Sequence, residues 1–420
     1  MIGRLFYLMI IGVLLFTVDG LGQNTWVKTY GGSGDNRGYS IVSTSDGGCI
    51  LTGETLSNDG DFSGMNKGGR DIFVIKLNSS GDILWKKTFG GSSDDFGKSI
   101  TTTSDGGFVL TGYTSSNNGD FSGMNKGSYD IFVIKLNSSG EIVWKKTFGG
   151  SSYDWGYSIT TTSDGGFVLT GWTSSNDGDF SGMSKGGETE IFVIKLNSNG
   201  DIVWKRTFGG GGINKTQVGE TITITNNDRV VVIGWFDSND NDFSGMNKGS
   251  SDIFVLNLNS NGDTVWKKTF GGNSSESGNS ITSSSDGGFV LTGGTSSNDG
   301  DFSGMNKGAS DIFVMKLDSN GNLNNTTSIN EFSEPTTTLS VHPNPFHNST
   351  TVSYKVETPS NVRIELLNTL GQTIEVLRED YTDIGTYQLP LNVSTLSSGM
   401  YSVRMRSGSM NEVVPVWVVR

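Results

Sequence analysis

The chain has 420 residues, 61 of them glycine, with a formal net charge of −13 and an isoelectric point near 4.7. This acidity argues against nucleic acid as a partner, because phosphate binding requires a surface rich in lysine and arginine. Phe and Trp are plentiful and periodic, which excludes a disordered chain and favours many strands joined by glycine-bearing turns.

The first residues predict a secretory signal peptide at 1–22. Arg4 precedes an apolar run from Leu5 to Val18, and small residues then lead to Gln23. The run is too short to be read as a membrane span, so we expect no integral span after cleavage. The one cysteine, Cys49, excludes an internal disulfide. An exported protein, secreted or attached to the outer cell surface, is therefore expected.

Residues 23–325 contain a repeat marked by five tryptophans spaced 59 to 62 residues apart: Trp26, Trp85, Trp144, Trp204 and Trp266. Each repeat has four strand-like runs, which in the second repeat are Ser99–Thr103, Phe108–Thr114, Ile131–Leu136 and Glu141–Phe148. Asp-Gly pairs favour tight hairpins, and the run IFVIKL suits a strand buried on both faces. The pattern predicts an all-β fold, a five-bladed β-propeller with four-stranded blades.

The two ends of the repeat region predict how the ring closes. The chain starts at Trp26 with a lone fourth strand, and the last repeat reaches Asn325 where its tryptophan is due. We therefore expect the N-terminal strand to complete the last blade, which would hide a free sheet edge.

The repeats resemble the propeller repeats of secreted Bacteroidetes proteins. The resemblance rests on the segments GGSSDDFGKSI, TSDGGFVLTG and DIFVIKLNSSGEIVW. The resemblance covers Trp26 to Asn325. It implies a scaffold, and it does not imply a function, since propellers serve as lectins, enzymes and protein-binding modules alike.

Two longer connections, Gly90–Lys98 and Ser115–Asp130 in the second repeat, should share the end of each blade opposite the tight turns and form the binding surface. The second connection repeats a carboxylate that we interpret as a turn former, with calcium binding as the alternative: Asp61, Asp120, Asp179, Asp242 and Asp301. The phenylalanine that follows each aspartate is expected to pack onto its own blade. The sequence predicts no cofactor, with calcium as the alternative.

Three positions vary within the otherwise copied text. One holds Arg37, Phe96, Trp155 and Ser277, a second Tyr39, Lys98, Tyr157, Glu220 and Asn279, and a third Glu54, Tyr113, Trp172, Trp235 and Gly294. Exposed aromatic side chains beside polar residues suit carbohydrate stacking or protein contacts. The candidate ligand-binding residues are Arg37, Tyr39, Phe96, Tyr113, Trp155, Tyr157, Trp172 and Trp235. The alternative is drift at unconstrained surface sites.

Catalysis has little support in the repeats. They contain no histidine, which excludes a Ser-His-Asp triad or a His-ligated zinc site. The adjacent carboxylates Asp94 and Asp95 recur only loosely between repeats, whereas a glycosidase needs two carboxylates in different surroundings. We therefore predict no enzyme and no catalytic residue.

All six prolines and both histidines lie in the last 86 residues, which marks a boundary. Residues 326–338 are polar and threonine-rich and predict a linker, and 339–420 form a separate β-rich module. Its motifs include Pro343, Asn344, Pro345, Gly371, Gly399 and Tyr401, in an order that resembles the type A sorting domain of the type IX secretion system. The resemblance implies a small β-sandwich that the type IX machinery recognises, with an ordinary accessory β-sandwich as the alternative.

These observations predict an exported binding module that recognises glycan or another extracellular polymer through the long-loop face, with several sites adding by avidity. The alternative is a structural or adhesive surface protein that binds proteins or cells without a discrete small-molecule site. A glycan-active enzyme is the least favoured interpretation.

Overall fold

A computed structural model describes residues 25–212, 215–323, 339–356, 358–369, 371–392, 396–408 and 410–419. The predicted signal peptide and linker lie outside these residues. The chain divides into two compact units, Met1–Asn324 and Asn325–Arg420. Over the described ranges, no helix has the length and apolarity needed to cross a membrane.

The first unit consists of five antiparallel sheets, each built from consecutive strands in chain order. The first sheet contains β1 (Asn36–Ser43), β2 (Cys49–Thr55), β3 (Asp71–Leu77) and β4 (Ile83–Phe89). The second contains β5 (Asp95–Thr102), β6 (Phe108–Thr114), β7 (Asp130–Leu136) and β8 (Ile142–Phe148). The third contains β9 (Asp154–Thr161), β10 (Phe167–Thr173), β11 (Glu190–Leu196) and β12 (Ile202–Phe208).

The fourth sheet contains β13 (Gln217–Ile224), β14 (Val230–Phe236), β15 (Asp252–Leu258) and β16 (Thr264–Phe270). The fifth has three strands, β17 (Glu276–Ser283), β18 (Phe289–Thr295) and β19 (Asp311–Leu317). Between the second and third strands of each sheet lies a single-turn 3-10 helix, at Gly60–Phe62, Gly119–Phe121, Gly178–Phe180, Asn241–Phe243 and Gly300–Phe302.

Successive sheets pack face to face, which explains the continuously apolar third strands. Ile131 and Val133 of β7 are fully buried in one cluster with Ile159 and Leu169 of the next sheet. The phenylalanine of each 3-10 turn is also buried, as predicted: Phe62, Phe121, Phe180, Phe243 and Phe302 are at most 3% exposed. Each sheet therefore depends on the next for the burial of its apolar face.

Tryptophans of the fourth strands tie each sheet to the following one. The indole of Trp85 donates to the Ser138 carbonyl in the β7–β8 turn of the next sheet, and Trp144 and Trp204 repeat this contact. Turn glycines such as Gly140 are packed against these rings, and a Cβ at Gly140 would lie 2.8 Å from the Trp85 ring. The regular spacing of the tryptophans thus reflects their repeated contacts with the following sheet.

The structure does not show the predicted closure of the last sheet by the N-terminal strand. Among the described residues, β19 pairs only with β18. Trp26 instead donates to the Ser79 carbonyl in the β3–β4 turn, and Lys28 pairs with Asp82 at 2.5 Å. The segment at Trp26 makes the contact that Trp85, Trp144 and Trp204 make with the sheets that follow them, so it lies against the first sheet, and it is not paired with β19.

The second unit is a two-layer β-structure. One sheet contains β20 (Leu339–His342), β21 (Ser349–Val356) and β24 (Gly385–Asn392), and the other β22 (Ser360–Leu367), β23 (Thr373–Thr382), β25 (Gly399–Ser407) and β26 (Met410–Val418). Alternate residues from both sheets, among them Val352, Tyr354, Ile364 and Val403, form one buried core. The predicted small β-sandwich agrees with this arrangement.

Candidate functional site

The variable positions lie at the long-loop end of the repeat sheets, in directly opposed pairs on the first and second strands. Arg37 faces Glu54, Phe96 faces Tyr113, and Trp155 faces Trp172. Trp235 faces Val218, and Gly294 faces Ser277. Two of the three variable positions are therefore cross-strand neighbours, which is the contact that stabilises side chains on a sheet face.

Four of these side chains form a continuous run of rings across the second and third sheets, which we call the aromatic ladder: Phe96, Tyr113, Trp155 and Trp172. The ring centroids of Phe96 and Tyr113 are 4.7 Å apart. Tyr113 stacks on Trp155 at 4.3 Å with an interplanar angle of 10°, and Trp155 lies 4.8 Å from Trp172. The ladder therefore joins two neighbouring repeats into one aromatic surface.

The expectation of exposed aromatic side chains is met only in part. Tyr113 is 5% exposed, because it is packed between Phe96 and Trp155. Phe96, Trp155, Trp172 and Trp235 are half-buried, while Tyr39 is 41% exposed. A ligand would therefore meet ring edges and partial faces of the ladder, with Tyr113 as its support.

Charged side chains border the ladder. The Lys98 Nζ lies 3.6 Å from the ring centroid of Tyr39 and 5.5 Å from that of Tyr113. Burial lowers the pKa of Lys98 and raises that of Glu220, which also accepts a hydrogen bond from Trp235. Glu54 is 1% exposed and lies 3.4 Å from the Arg70 guanidinium. Both signs of charge therefore lie beside the rings.

Tyr157 belongs to the same region. Its hydroxyl accepts a hydrogen bond from the Trp172 indole at 3.2 Å, and its ring lies 6.3 Å from Trp155. Burial raises the pKa of Tyr157 to about 12, so the hydroxyl is neutral at physiological pH. Of the eight candidates, Arg37 is the most solvent-exposed, and its guanidinium lies 4.0 Å from Glu54.

Three residues of this region were missed from sequence. Tyr129 lies 5.6 Å from Tyr113 and 6.0 Å from Trp155, Tyr153 stacks on Tyr129 at 5.9 Å, and Arg70 contacts Glu54. Arg70 and Tyr129 occupy one repeat position, directly before the third strand, where other copies have Thr189, Ser251 and Ser310. The same variation that identified the other candidates would have found them.

The repeated aspartates of the second long connection link each sheet to the segment that precedes it. The Asp120 Oδ2 accepts the Gly90 N–H at 2.9 Å and pairs with Lys67 at 2.6 Å. Asp179 and Asp301 make the same pair of contacts, and Asp61 and Asp242 accept the corresponding glycine N–H. In the described part of the chain, no group of three or more His, Cys, Asp or Glu side chains is arranged to hold a metal ion.

The carboxylates considered for catalysis have structural partners. Asp95 is fully buried and accepts hydrogen bonds from Ser116, Thr114 and the Gly91 N–H. Asp94 accepts the Arg70 N–H at 2.9 Å. Both side chains hold the start of β5 against its neighbours.

The fourth repeat departs from the others at the short-turn end. Elsewhere a lysine of the third strand pairs with the turn aspartate, as Lys76 does with Asp46 at 2.8 Å. The fourth sheet has Asn257 and Asn227 at these positions, and both polar atoms of the buried Asn257 lack a hydrogen-bond partner among the described residues. Asn257 and Asn227 line a cleft of 380 Å³ beside the fifth sheet.

We expect the triple substitution Asn227→Asp, Arg229→Gly and Asn257→Lys to raise the free energy of unfolding by about 1–3 kcal/mol, because it restores a charge-assisted pair to buried polar atoms that now lack one. Arg229 must change as well, since a Cβ at the equivalent Gly48 would lie 2.9 Å from the Lys76 Nζ. Urea unfolding measures the effect. Asn257→Lys alone is the control, and a gain equal to that of the triple variant would contradict this account.

Among the predicted sorting residues, Asn344 joins the segment after β20 to the last strand of the second unit, β26. Asn344 donates to the Pro415 carbonyl and accepts the Trp417 N–H, both at 2.8 Å. Gly371 lies in the β22–β23 turn with φ of 76°, a conformation that favours glycine. The Tyr401 hydroxyl donates to the Ser397 carbonyl at 3.1 Å, before β25. Asn344, between Pro343 and Pro345, thus contacts β26 directly.

A family model described as a secretion system C-terminal sorting domain matches residues 340–419. Separately, an alignment over 215 residues, which covers 42% of this chain, shows 23% identity to an uncharacterised WD repeat-containing protein of Acanthamoeba polyphaga mimivirus. That match spans 15% of the mimivirus protein's length.

Three solved structures show similarity at low identity. A protein of unknown function from Dyadobacter fermentans is 10% identical, with a TM-score of 0.41 and coverage of 87% of this chain and 97% of that one. A protein of unknown function from Bacteroides caccae is 10% identical, with a TM-score of 0.34 and coverage of 69% of this chain and 80% of that one. PorZ, a surface component of the type IX secretion system of Porphyromonas gingivalis, is 12% identical, with a TM-score of 0.30. The match covers 93% of this chain and 46% of PorZ. With TM-scores below 0.5, none of these similarities bears on what the chain binds.

The family match covers nearly all of the second unit's described residues. A sorting domain of this kind indicates secretion or attachment to the cell surface. The chain thus carries a type IX secretion system C-terminal sorting domain at residues 340–419.

Proposed function

We propose that the repeat unit is a propeller-like binding module that recognises glycan at the cell surface or outside the cell, and that the aromatic ladder is its contact surface. The observation that carries the proposal is the unbroken run Phe96, Tyr113, Trp155 and Trp172, with centroid separations of 4.3 to 4.8 Å. Sugar rings present apolar C–H faces together with hydroxyl groups, so partly exposed rings beside charged side chains suit them.

The polar groups around the ladder support the same proposal. Lys98 and the guanidinium of Arg37 can donate to hydroxyl oxygens, and Glu220 can accept from hydroxyl groups. Tyr39 presents 41% of its surface to solvent at the edge of this region. Donors, acceptors and aromatic rings thus occur together at the long-loop end of the repeat sheets.

The proposal places one composite site on the second and third sheets instead of five equal sites. The first sheet has Arg37 and Glu54 where these sheets have rings, and the fifth has Ser277 and Gly294. Avidity between identical repeats, which the repeat pattern suggested, is therefore not part of the proposal. Binding without catalysis is proposed because Asp94 and Asp95 are engaged in structural hydrogen bonds.

A glycan array probed with the full exported chain, with and without calcium, tests this function. We expect selective binding to a small set of glycans that soluble forms of the same glycans inhibit. Absence of binding under both conditions, together with binding to cells or proteins that sugars do not inhibit, would overturn the proposal in favour of an adhesive surface protein.

A further inference from the structure

The cleft between the fourth and fifth sheets, at the short-turn end, differs in charge from the corresponding clefts between other sheets. The cleft between the first two sheets is lined by Lys76 and Asp46, which pair with each other. The cleft between the third and fourth sheets is lined by a similar pair, Lys195 and Asp164. Of the described residues that line the cleft beside the fifth sheet, Arg229 is the only charged one. This cleft thus has a cation without a carboxylate.

Arg229 begins where other repeats have a lysine ammonium group. Its counterparts in the other four sheets are the glycines Gly48, Gly107, Gly166 and Gly288. A Cβ at Gly166 would lie 2.5 Å from the Lys195 Nζ, so the Arg229 side chain starts in the space of that ammonium. Arg229 is half-buried and forms no ion pair among the described residues. The neighbouring Asp228 does not compensate its charge, because that carboxylate accepts hydrogen bonds from Ser163 of the third sheet.

Three buried polar atoms without partners belong to one cross-strand pair beside this cleft. Asn257 of β15, which lines the cleft and is 1% exposed, directly faces Trp266 of β16. Both polar atoms of the Asn257 side chain and the Trp266 Nε1 are buried, and none has a hydrogen-bond partner in the described part of the chain. The Trp266 ring lies 5.9 Å from that of Phe289, which also lines the cleft. Because buried polar groups are almost always hydrogen-bonded, these three atoms are available to a ligand.

The available groups are mostly hydrogen-bond donors. The Arg229 guanidinium, the Asn257 Nδ2 and the Trp266 Nε1 donate, and the Asn257 Oδ1 alone accepts. A turn carboxylate pairs with the lysine in the other sheets, but here Asn227 holds that position, and its Oδ1 accepts from Thr225. An anion therefore suits the cleft, and a carboxylate suits the guanidinium because the two groups form parallel hydrogen bonds. The accepting Oδ1 requires that the ligand also carry a donor such as a hydroxyl.

We propose that this cleft binds an acidic sugar, with the sugar carboxylate on Arg229 and a ring hydroxyl donating to the Asn257 Oδ1. The cleft volume of 380 Å³ lies within the range of about 300–1,000 Å³ that is typical of small-molecule sites. Ser283 and Ser319 line the same cleft, are exposed, and can exchange hydrogen bonds with other sugar hydroxyls. Because the cleft lies at the opposite end of the sheets from the aromatic ladder, it is a second site beyond the function proposed above.

Titration of the full chain with glucuronate, followed by the NMR signals of the ligand, tests this proposal. Acetate supplies a carboxylate alone and glucose supplies hydroxyls alone, and we expect glucuronate to bind at least about tenfold more tightly than either. Arg229→Gln should weaken glucuronate binding at least about tenfold, because it removes the guanidinium. The matched control is Arg206→Gln, which removes an equal charge from β12, outside the cleft, and should leave glucuronate binding unchanged.

The triple substitution Asn227→Asp, Arg229→Gly and Asn257→Lys supplies a second variant, in which loss of binding cannot be attributed to unfolding. It restores the internal ion pair of the other repeats, so we expect it to abolish glucuronate binding while it raises the free energy of unfolding. Absence of glucuronate binding to the unsubstituted chain would overturn the proposal. Glucuronate binding that the triple variant retains, or an affinity that acetate or glucose equals, would also overturn it.

Discussion

Replacing Phe180 by alanine is expected to lower the free energy of unfolding by about 3–5 kcal/mol, because it leaves a cavity between two packed sheets. Phe180 is fully buried in a cluster that combines residues of the second and third sheets, and its ring lies 5.7 Å from Phe192. Urea or guanidinium unfolding measures the loss, with the denaturant slope checked for two-state behaviour.

Phe62→Ala is the matched control for this prediction. Phe62 occupies the same position in the first sheet, but its small cluster contains no preceding sheet, only Tyr30 of the N-terminal segment. We expect a smaller loss there. Equal losses at the two positions would contradict the idea that burial between successive sheets stabilises the long connections.

The second large effect is a fall in stability as the pH rises from about 4 to about 7. Burial raises the pKa of Asp71 to about 7 and those of Asp95, Asp130 and Asp252 to about 6. Because these folded-state pKa values exceed the unfolded values, the folded chain binds more protons than the unfolded chain within this window. The free energy of unfolding therefore decreases with rising pH until these groups are ionised.

At lower pH the sign reverses. Hydrogen bonds from Thr103 and Lys135 lower the pKa of Asp105 to about 2, so its contribution is present above the unfolded pKa and is lost as the pH falls towards 2. We expect maximum stability near pH 4–5, which thermal unfolding between pH 2 and pH 8 measures. Stability that rises steadily from pH 4 to pH 8 would contradict this account.

Asp71→Asn isolates one group of this set. The Asp71 Oδ2 accepts the Lys67 N–H at 2.6 Å, while the buried Oδ1 has no hydrogen-bond partner among the described residues. A neutral amide should therefore remove part of the pH dependence and stabilise the chain by about 1–2 kcal/mol at pH 8. The control is Asp311→Asn, since Asp311 holds the same position in the fifth sheet but is only half-buried.

The repeat strands were predictable because their pattern is strong and is copied several times. Phe108–Thr114 was predicted with the bounds of β6, and Ile131–Leu136 fell one residue short of β7. The first strand was predicted four residues late, at Ser99 instead of Asp95. Asp95 is a poor strand former, but Thr114 and Ser116 satisfy its buried carboxylate, and a register shift between Gly97 and Ser99 interrupts the alternation.

The candidate site was predictable only in part, for a related reason. Variation between copies identified Phe96, Tyr113, Trp155 and Trp172, which the structure brings together. It could not show that Tyr113 is buried, because burial there depends on the stacking of Trp155 from the next sheet. The path of the N-terminal segment was likewise not predictable. A segment that only packs on the first sheet through Trp26 and one that also pairs with β19 would have the same sequence pattern.

The most direct test of the central claim, that the aromatic ladder is the glycan-binding surface, is calorimetric titration of the glycan selected on the array. We expect the Trp155→Ala/Trp172→Ala variant of the full chain to bind at least about tenfold more weakly than the unsubstituted chain, a loss of about 1.4 kcal/mol. Trp417→Ala, which removes a 49% exposed tryptophan of the sorting domain, should bind unchanged. A folded double variant with unchanged affinity would contradict the assignment of this surface.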